Sequence, residues 1–296
     1  MANLNYATAY SNALAQAYPY VLNFGDLYNT ENDNRYRFVN AKTIEIPSIS
    51  TSGRVDSNRD TIAVASRNYD NAWEPKTLTN QRKWSTLVHP MDVDQTNLVA
   101  SIQNITQVFN EEQKFPEMDA YLVSKIYSDW TALGNQADTT ALTVKNILDV
   151  IDNLMVEMDE ARVPANGRIL YCDSKTKALI KNAEGIQRTF NVQSGENGIN
   201  RDVSRIEEVK IISVPSSLMK TVFDFTTGWK AGVSAKDIKL FLVHPSAIIT
   251  PVSYQFAQLD PPSAGSEGKY VYFEESFEDV FILNKKAGGI RFVITE

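Results

Sequence analysis

The sequence is poor in the residues that build disulfides and transition-metal sites. Among 296 residues there is one cysteine, Cys172, and there are two histidines, His89 and His244. A lone cysteine forms no disulfide within the chain, and one Cys with two His leaves too few ligands for a conventional zinc site. Cys172 ends the apolar run that begins at Ile169, so we expect a buried, inert thiol. Each histidine precedes a proline, and we expect both to be turn residues at strand ends.

Basic charge is also in short supply. Lys and Arg number 29 against 36 Asp and Glu, which gives a net charge of −7. Tight phosphate binding needs clustered Lys and Arg, so a protein that grips nucleic acid by charge is disfavoured. The glycine-rich motifs that cradle nucleotide phosphates are absent from the sequence. We therefore expect no nucleotide cofactor, although a surface that merely faces nucleic acid stays open.

Long apolar runs are missing as well. No window approaches the run of about 18 apolar residues that crosses a bilayer. The first residues lack the basic region and the apolar region of a signal peptide. We therefore expect a protein that is made in a cytosol and has no membrane partner.

Carboxylates, by contrast, are plentiful. Any two that lie close together can act as an acid and a base, so a hydrolase that uses paired carboxylates stays an alternative. Most of them flank strand or helix ends in polar surroundings, as on an ordinary solvated surface. We therefore expect no catalytic residue, no metal ligand and no cofactor. The acidic residues considered are Asp92, Asp94, Glu157, Asp159, Glu160, Glu207, Glu208, Glu274, Glu275, Glu278 and Asp279.

The stretch 36–95 has an unusual pattern for a compact domain. Residues 42–46 alternate polar and apolar side chains like a strand, and Pro47 is expected to interrupt that strand. The chain then passes through a polar tip and returns along a second strand-like arm, 77–88. Its apolar residues are too sparse for a core, and a loop of this length is uncommon inside a compact domain.

The extended stretch is therefore either disordered or braced by neighbouring subunits. Its alternating pattern and its two tryptophans favour bracing. We predict Trp73 and Trp84 as inter-subunit contacts.

The strongest helical pattern covers 97–133, where apolar residues recur every three or four positions. Pro116 lies between the two halves, so we predict one kinked helix or two nearly collinear ones. A second helix is predicted directly after the capping residues 138–140, with an apolar face from Leu142 to Met158. A short amphipathic helix is predicted ahead of Pro19.

The second half of the chain mixes helices and strands without regular alternation, so the predicted fold class is α+β. Strands are predicted at 168–171, 207–214, 238–243, 269–275, 278–283 and 290–295, with a short helix at 174–182 and a loop rich in Gly and Asn at 191–200.

Five segments, taken in order, resemble a known family. The segments are 83–96, 115–126, 167–172, 208–215 and 277–290. Their order and spacing are similar to the Hong Kong 97-type (HK97-like) capsid fold of tailed phages, and the likeness covers nearly the whole chain. The resemblance implies an N-terminal arm at 1–35, an extended loop at 36–95, the spine helix of a peripheral domain at 96–138, an axial domain at 139–245 and the closing strands of the peripheral domain at 246–296.

The resemblance also implies a function. A major capsid protein of a tailed bacteriophage is a structural protein, not an enzyme, and it self-assembles into the hexamers and pentamers of an icosahedral head. The head encloses double-stranded DNA without sequence-specific binding. The implied partners are further copies of the chain, a separate scaffolding protein, a portal protein and, in some heads, decoration proteins. The implied location is the virion, and the host cytoplasm during assembly. A shell protein of an encapsulin-type nanocompartment is the alternative within the same fold.

Overall fold

The computed structural model describes residues 20–28, 30, 32, 35–56, 60, 67–96, 100–183 and 203–295. The helix predicted ahead of Pro19 and the loop predicted at 191–200 lie outside the described residues. The α-helices are α1 (Gly25–Tyr28), α2 (Pro90–Gln95), α3 (Ile102–Phe109), α4 (Phe115–Ala132), α5 (Ile147–Glu160) and α6 (Ser174–Lys181).

In the described part of the chain the strands belong to five small sheets. They are β1 (Arg37–Asn40), β2 (Thr43–Thr51), β3 (Tyr69–Thr77), β4 (Gln81–Val88), β5 (Ile169–Asp173), β6 (Arg205–Ile206), β7 (Val209–Val214), β8 (Phe223–Asp224), β9 (Lys230–Ala231), β10 (Ile238–Val243), β11 (Ile248–Ile249), β12 (Val252–Asp260), β13 (Tyr270–Glu278), β14 (Phe281–Ile282) and β15 (Ile290–Ile294). Short 3-10 turns cover Pro245–Ala247 and Asn284–Gly289. Helices and strands are mixed without alternation, which confirms the α+β prediction.

The central sheet has five strands in the order β15, β10, β5, β7, β6. β5 and β7 run parallel, and the other neighbours are antiparallel. Successive side chains of a strand point to opposite faces, and β10 follows this rule. Phe241 packs on one face and Leu242 on the other, and both are fully buried. The central sheet is therefore covered on both sides.

Helices provide the two covering layers. α4 contributes Leu122, Ile126 and Trp130 to the cluster on the Phe241 side. α5 and α6 pack on the Leu242 side, where residues such as Ile151 are buried. Since each buried Å² of apolar surface contributes about 25 cal/mol, these two layers are the main source of the fold's stability.

One continuous long helix runs from Ile102 to Ala132. It consists of α3, a π-helical turn (Asn110–Lys114) and α4. Pro116 lies in the first turn of α4, and a proline inside a helix removes a hydrogen bond and clashes with the carbonyl four residues earlier. The π-helical turn directly before it interrupts the regular hydrogen-bond pattern there, and such turns accommodate local distortion of a helix.

The second helix begins later than predicted. α5 starts at Ile147, so the prediction that it follows directly after Asp138 was wrong. Asp138 instead accepts hydrogen bonds from the backbone N–H and the hydroxyl of Thr140, at 2.8 and 2.7 Å, which closes a local turn. Its own N–H donates to Phe292 O at 3.0 Å. The backbone of Asp138 thus binds β15, and its side chain closes a turn instead of capping a helix.

The extended stretch contains a three-stranded sheet in the order β1, β2, β3. β2 pairs with β3 without interruption, from Thr43 opposite Thr77 to Thr51 opposite Tyr69. The return arm is therefore β3, and the prediction of 77–88 as that arm was wrong. Residues 43–77, which include β2 and β3, are called the hairpin.

Pro47 lies inside β2, so the prediction that it interrupts the strand was also wrong. It stands opposite Trp73, beyond the last position at which β1 pairs with β2. Among the described strands, none lies on that side at this position, and a proline is tolerated at an unpaired edge because no ladder hydrogen bond is lost.

β4, the arm that was expected to close the hairpin, belongs to a different sheet. It pairs with β13 over its whole length, and β12 pairs with the other side of β13. The strand predicted at 269–275 is β13, which continues to Glu278. The strand predicted at 278–283 is reduced to the two-residue β14. This third sheet lies against the long helix through Trp84 and Phe109.

Candidate assembly surfaces

The hairpin is buried at its base and exposed beyond it. Ile44 and Ile46 pack with Leu78 and with residues of the body, including Phe281. Beyond Pro47 the side chains of β2 and β3 are mostly exposed. Ile49 is 65% exposed and Val55 in the tip is 91% exposed. An apolar side chain exposed in this way gains nothing from the fold of its own chain.

Polar contacts fix the hairpin to the body near its base. Lys76 Nζ donates to Asn284 Oδ1 at 2.9 Å, and Asn284 Nδ2 donates to Glu74 Oε2 at 2.8 Å. Lys285 Nζ donates to Ile49 O at 2.7 Å. These groups are exposed, so each contact contributes little free energy. Together they set the direction in which the hairpin leaves the body.

Trp73 lies in the middle of β3, on the hairpin. The guanidinium of Arg37 sits 3.9 Å from the centre of its ring, and the indole is 42% exposed. Arg37 in turn forms an ion pair with Glu45 at 2.8 Å. The hairpin therefore presents a large aromatic side chain that is held in place but only half covered. The inter-subunit contact of Trp73 stays a prediction.

Trp84 has a different environment. Its ring stacks on Phe109 of the long helix at 3.9 Å between ring centres and 7° between planes. The ring centre of Tyr272 on β13 lies 5.8 Å from that of Trp84, on the same face of the sheet. Much of the Trp84 ring is thus engaged inside its own chain. Its inter-subunit contact also stays a prediction, and the structure adds an intramolecular role that the sequence analysis missed.

A buried carboxylate on the long helix holds the start of the described chain. Asp119 is fully buried, and its Oδ2 accepts hydrogen bonds from the hydroxyl of Tyr20 at 2.6 Å and from the backbone N–H of Asn23 at 2.9 Å. Burial raises the pKa of Asp119, although these donated hydrogen bonds act in the opposite direction. No local pattern indicates this contact, since its partners lie more than 90 positions apart.

Several of the carboxylates considered for catalysis are partners of nearby cations or donors. Asp159 pairs with the buried Arg168, Glu157 with Arg291 and Glu274 with Lys114. Asp279 accepts hydrogen bonds from Thr79 and Tyr121. In the described part of the chain, no group of three or more His, Cys, Asp or Glu side chains is placed to hold a metal ion.

Glu278 and Asp279 adjoin but differ in environment. Burial raises the pKa of Glu278, and the positive charge of Lys114 lowers it by a smaller amount. Asp279 is buried among hydrogen-bond donors, including the hydroxyl of Tyr121 at 2.8 Å. The hydrogen bonds to Asp279 connect the residues after the hairpin, the end of β13 and the long helix. Asp279 therefore holds these elements together.

The cysteine and both histidines lie where the sequence analysis expected them. Cys172 is fully buried, and burial raises the pKa of its thiol to about 12. His89 Nδ1 accepts the N–H of Met91 at 3.1 Å, and His244 Nδ1 accepts the N–H of Ser246 at 3.2 Å. Each histidine therefore caps the turn that its proline begins.

Among the comparisons with known proteins, the one with solved structures bears on the fold. No family model matches the sequence, and no curated protein matches it. Among solved structures, the chain is similar to the capsid of cyanophage P-SCSP1u, with 11% identity, a TM-score of 0.65, and 95% of this chain and 90% of that chain covered. It is also similar to the mature capsid of bacteriophage PhiM1, with 11% identity, a TM-score of 0.62 and coverage of 86% and 82%.

A third similarity is to the head structure of Helicobacter pylori bacteriophage KHP40, with 8% identity, a TM-score of 0.58 and coverage of 95% and 92%. These likenesses extend over most of each chain and involve phage head structures. They confirm the predicted fold class: the chain has an α+β, HK97-like fold. None of the helices in the described residues is long and apolar enough to span a bilayer.

Proposed function

We propose that this chain is the major capsid protein of a tailed bacteriophage. The supporting observation is the combination of an HK97-like fold with a hairpin whose apolar side chains are left exposed. A fold alone does not imply a function. The hairpin adds a physical argument, because its exposed residues are stabilised only when another surface covers them.

In the proposed shell, the hairpin lies across an adjacent subunit of the same capsomer. Trp73 is the side chain best placed to contact that subunit, since it is large, half exposed and held by Arg37. Interfaces of obligate assemblies commonly bury 2,000 Å² or more and are rich in aromatic anchors. Trp84 is proposed to contribute indirectly, by fixing the sheet of β4, β13 and β12 to the long helix.

The same proposal extends to the way in which the subunits assemble. Copies of the chain form hexamers and pentamers, and these close into an icosahedral head around double-stranded DNA. The net charge of −7 suits a container that encloses DNA without gripping its phosphates. A scaffolding protein, a portal protein and decoration proteins are the proposed further partners, and the virion is the proposed location.

The proposed division of the chain follows the resemblance: an arm at 1–35, an extended loop at 36–95, a spine helix at 96–138, an axial domain at 139–245 and closing strands at 246–296. The pairing of β15 concerns the boundary at residue 246. β15 pairs with β10 in the central sheet, so the last strand is hydrogen-bonded to the segment before residue 246.

Electron microscopy of the purified chain tests the proposal. The chain is concentrated alone and with its co-expressed neighbouring gene products, and the particles are imaged after negative staining. Capsomers, tubes or closed shells are the expected result. A discrete monomer at high protein concentration in every condition would contradict the proposal, and a shell that co-purifies with an enzyme instead of DNA would favour the nanocompartment alternative.

A further inference from the structure

β12 forms an outer edge of the third sheet and, among the described strands, has none on its outer side. Among the strands that the structure describes, the nine-residue β12 pairs only with β13. Ser253 contacts the turn between β1 and β2 through its hydroxyl, which donates to Ala41 O at 2.6 Å. From Tyr254 to Asp260 every residue is exposed. The backbone N–H and C=O groups on the outer side of this segment are therefore available to another strand.

Other exposed edges of this molecule carry features that prevent pairing, and β12 does not. Proteins commonly protect an edge strand with a proline or a charge, above all lysine. The edge of β2 that β1 leaves uncovered carries Pro47, and β3 carries Pro75. β4, at the far side of the third sheet, carries Arg82 and Lys83.

Eight of the nine residues of β12 lack both features, and the exception is the terminal Asp260. From Val252 to Leu259 it contains no charge and no proline, and prolines at 251 and 261 bound the strand on either side. Tyr254 and Phe256 project from the same face, with their rings nearly parallel and 6.4 Å apart. An exposed edge with this composition is suited to pairing, and in isolation it would promote aggregation.

We propose that β12 pairs with β12 of a second copy of this chain, antiparallel and about a two-fold axis at Gln255. This inference rests on the proposed function, because a shell of many copies contains local two-fold contacts. This register places Tyr254 of each copy opposite Phe256 of the other. Aromatic residues directly opposite each other are favourable cross-strand pairs. Asp260, the one acid of the strand, falls outside the paired segment, so no like charges meet.

A cysteine scan tests the pairing and its register. Gln255→Cys, Phe256→Cys and Ala257→Cys each place the new thiol on the axis of one of three neighbouring registers. Opposite Cα atoms in an antiparallel pair are about 4.5–5.5 Å apart, within the range of a disulfide. The native Cys172 is fully buried, so it does not interfere. Ser85→Cys, on the exposed face of β4, is the matched control.

The variants are oxidised both in assembled particles and in concentrated unassembled protein, then run on non-reducing gels. We expect a strong dimer band for Gln255→Cys and none for Ser85→Cys. A strongest band at residue 256 or 257 would overturn the register. Particles that form without a dimer at any of the three positions would overturn the pairing and leave the proposed function intact. Absence of particles, with a dimer at Gln255→Cys, would support the pairing and contradict the shell.

A substitution that protects the edge provides the second test. Phe256→Lys gives β12 the charge that other edges of this molecule carry, and Ser85→Lys is its control on β4. We expect Phe256→Lys to abolish the disulfide-trapped dimer in a Gln255→Cys background with an unchanged circular dichroism spectrum. A dimer that persists at the yield of the Gln255→Cys parent would overturn the proposal.

Discussion

The central sheet and the hairpin use their apolar residues in opposite ways. In β10, the residues from Leu240 to Val243 are all fully buried, between two helical layers. In the hairpin, burial ends near Ile46, and Ile49 is 65% exposed. Since free energy of folding comes chiefly from apolar surface removed from water, the central sheet holds the fold together and the hairpin adds little to it.

The difference shows what each region requires in order to be stable. The central sheet has its covering layers within one chain. The hairpin has β1 on one side of its base and exposed side chains along the rest, and an isolated two-stranded ribbon is at best marginally stable in water. We therefore propose that the hairpin is stabilised by contacts outside its own chain, as expected for a part that joins subunits.

The largest expected effect lies in the central sheet. Phe241→Ala removes a fully buried ring that stacks on Phe292 at 4.6 Å. Truncating a buried Phe costs about 3–5 kcal/mol because of lost transfer free energy and the cavity left behind. Urea denaturation of the unassembled chain measures the loss. Ile49→Ala in the hairpin is the control and should stay within about 0.5 kcal/mol. Equal losses at the two positions would remove the distinction between the regions.

A smaller loss is expected where the third sheet meets the long helix. Trp84→Ala removes the stacking partner of Phe109. Because Trp84 is mostly but not fully buried, we expect a loss of about 2 kcal/mol, below the usual cost of a core tryptophan. Trp84→Phe retains a stacked ring and should recover much of the loss. An unchanged urea midpoint for Trp84→Ala would mean that the stacking contributes nothing to the fold.

A pH-dependent effect is expected at Glu278. Burial raises its pKa above the ordinary value of 4.5, so the folded chain binds the proton more tightly than the unfolded chain does. Stability contributed by the protonated form is therefore lost as pH rises through the raised pKa. Glu278→Gln should melt at a higher temperature than wild type at about pH 8 and at a similar temperature at about pH 4. The exposed Glu267→Gln is the control. A wild-type advantage at the higher pH would contradict the assignment.

The smallest expected effect on the fold is at Trp73. Trp73→Ala should change the free energy of unfolding by no more than about 0.5 kcal/mol, as is usual for surface positions. The same substitution should reduce the yield of shells measured by sedimentation, because it removes the proposed inter-subunit anchor. Trp73→Phe, which keeps an aromatic ring, should assemble better than the alanine variant. Normal assembly of Trp73→Ala would exclude this anchor.

Locally encoded features could be read from the sequence. The strand predicted at 238–243 is β10 to the residue, and the helix predicted at 174–182 is α6 within one position. The roles of His89 and His244 were also predictable, since a His-Pro pair encodes its own turn. In each case the signal and the structure lie within a few residues of each other.

Long-range contacts could not be read in this way. The alternation in 77–88 correctly indicated a strand, but nothing local distinguishes pairing with β2 from pairing with β13, about 190 positions away. The polar residues 138–140 matched a helix cap, but the backbone of Asp138 instead binds β15. The buried Asp119 was overlooked because its donors lie near the start of the chain.

Deletion of the hairpin's outer half tests the central claim most directly. Residues 50–70 are replaced by Asn-Gly, which joins the opposed residues Ile49 and Asn71 through a two-residue turn. We expect a folded chain whose urea midpoint is nearly that of wild type and which forms no shells under conditions in which wild type assembles. Normal shells from this deletion would show that the hairpin does not join subunits, and an unfolded chain would show that it is needed for the fold.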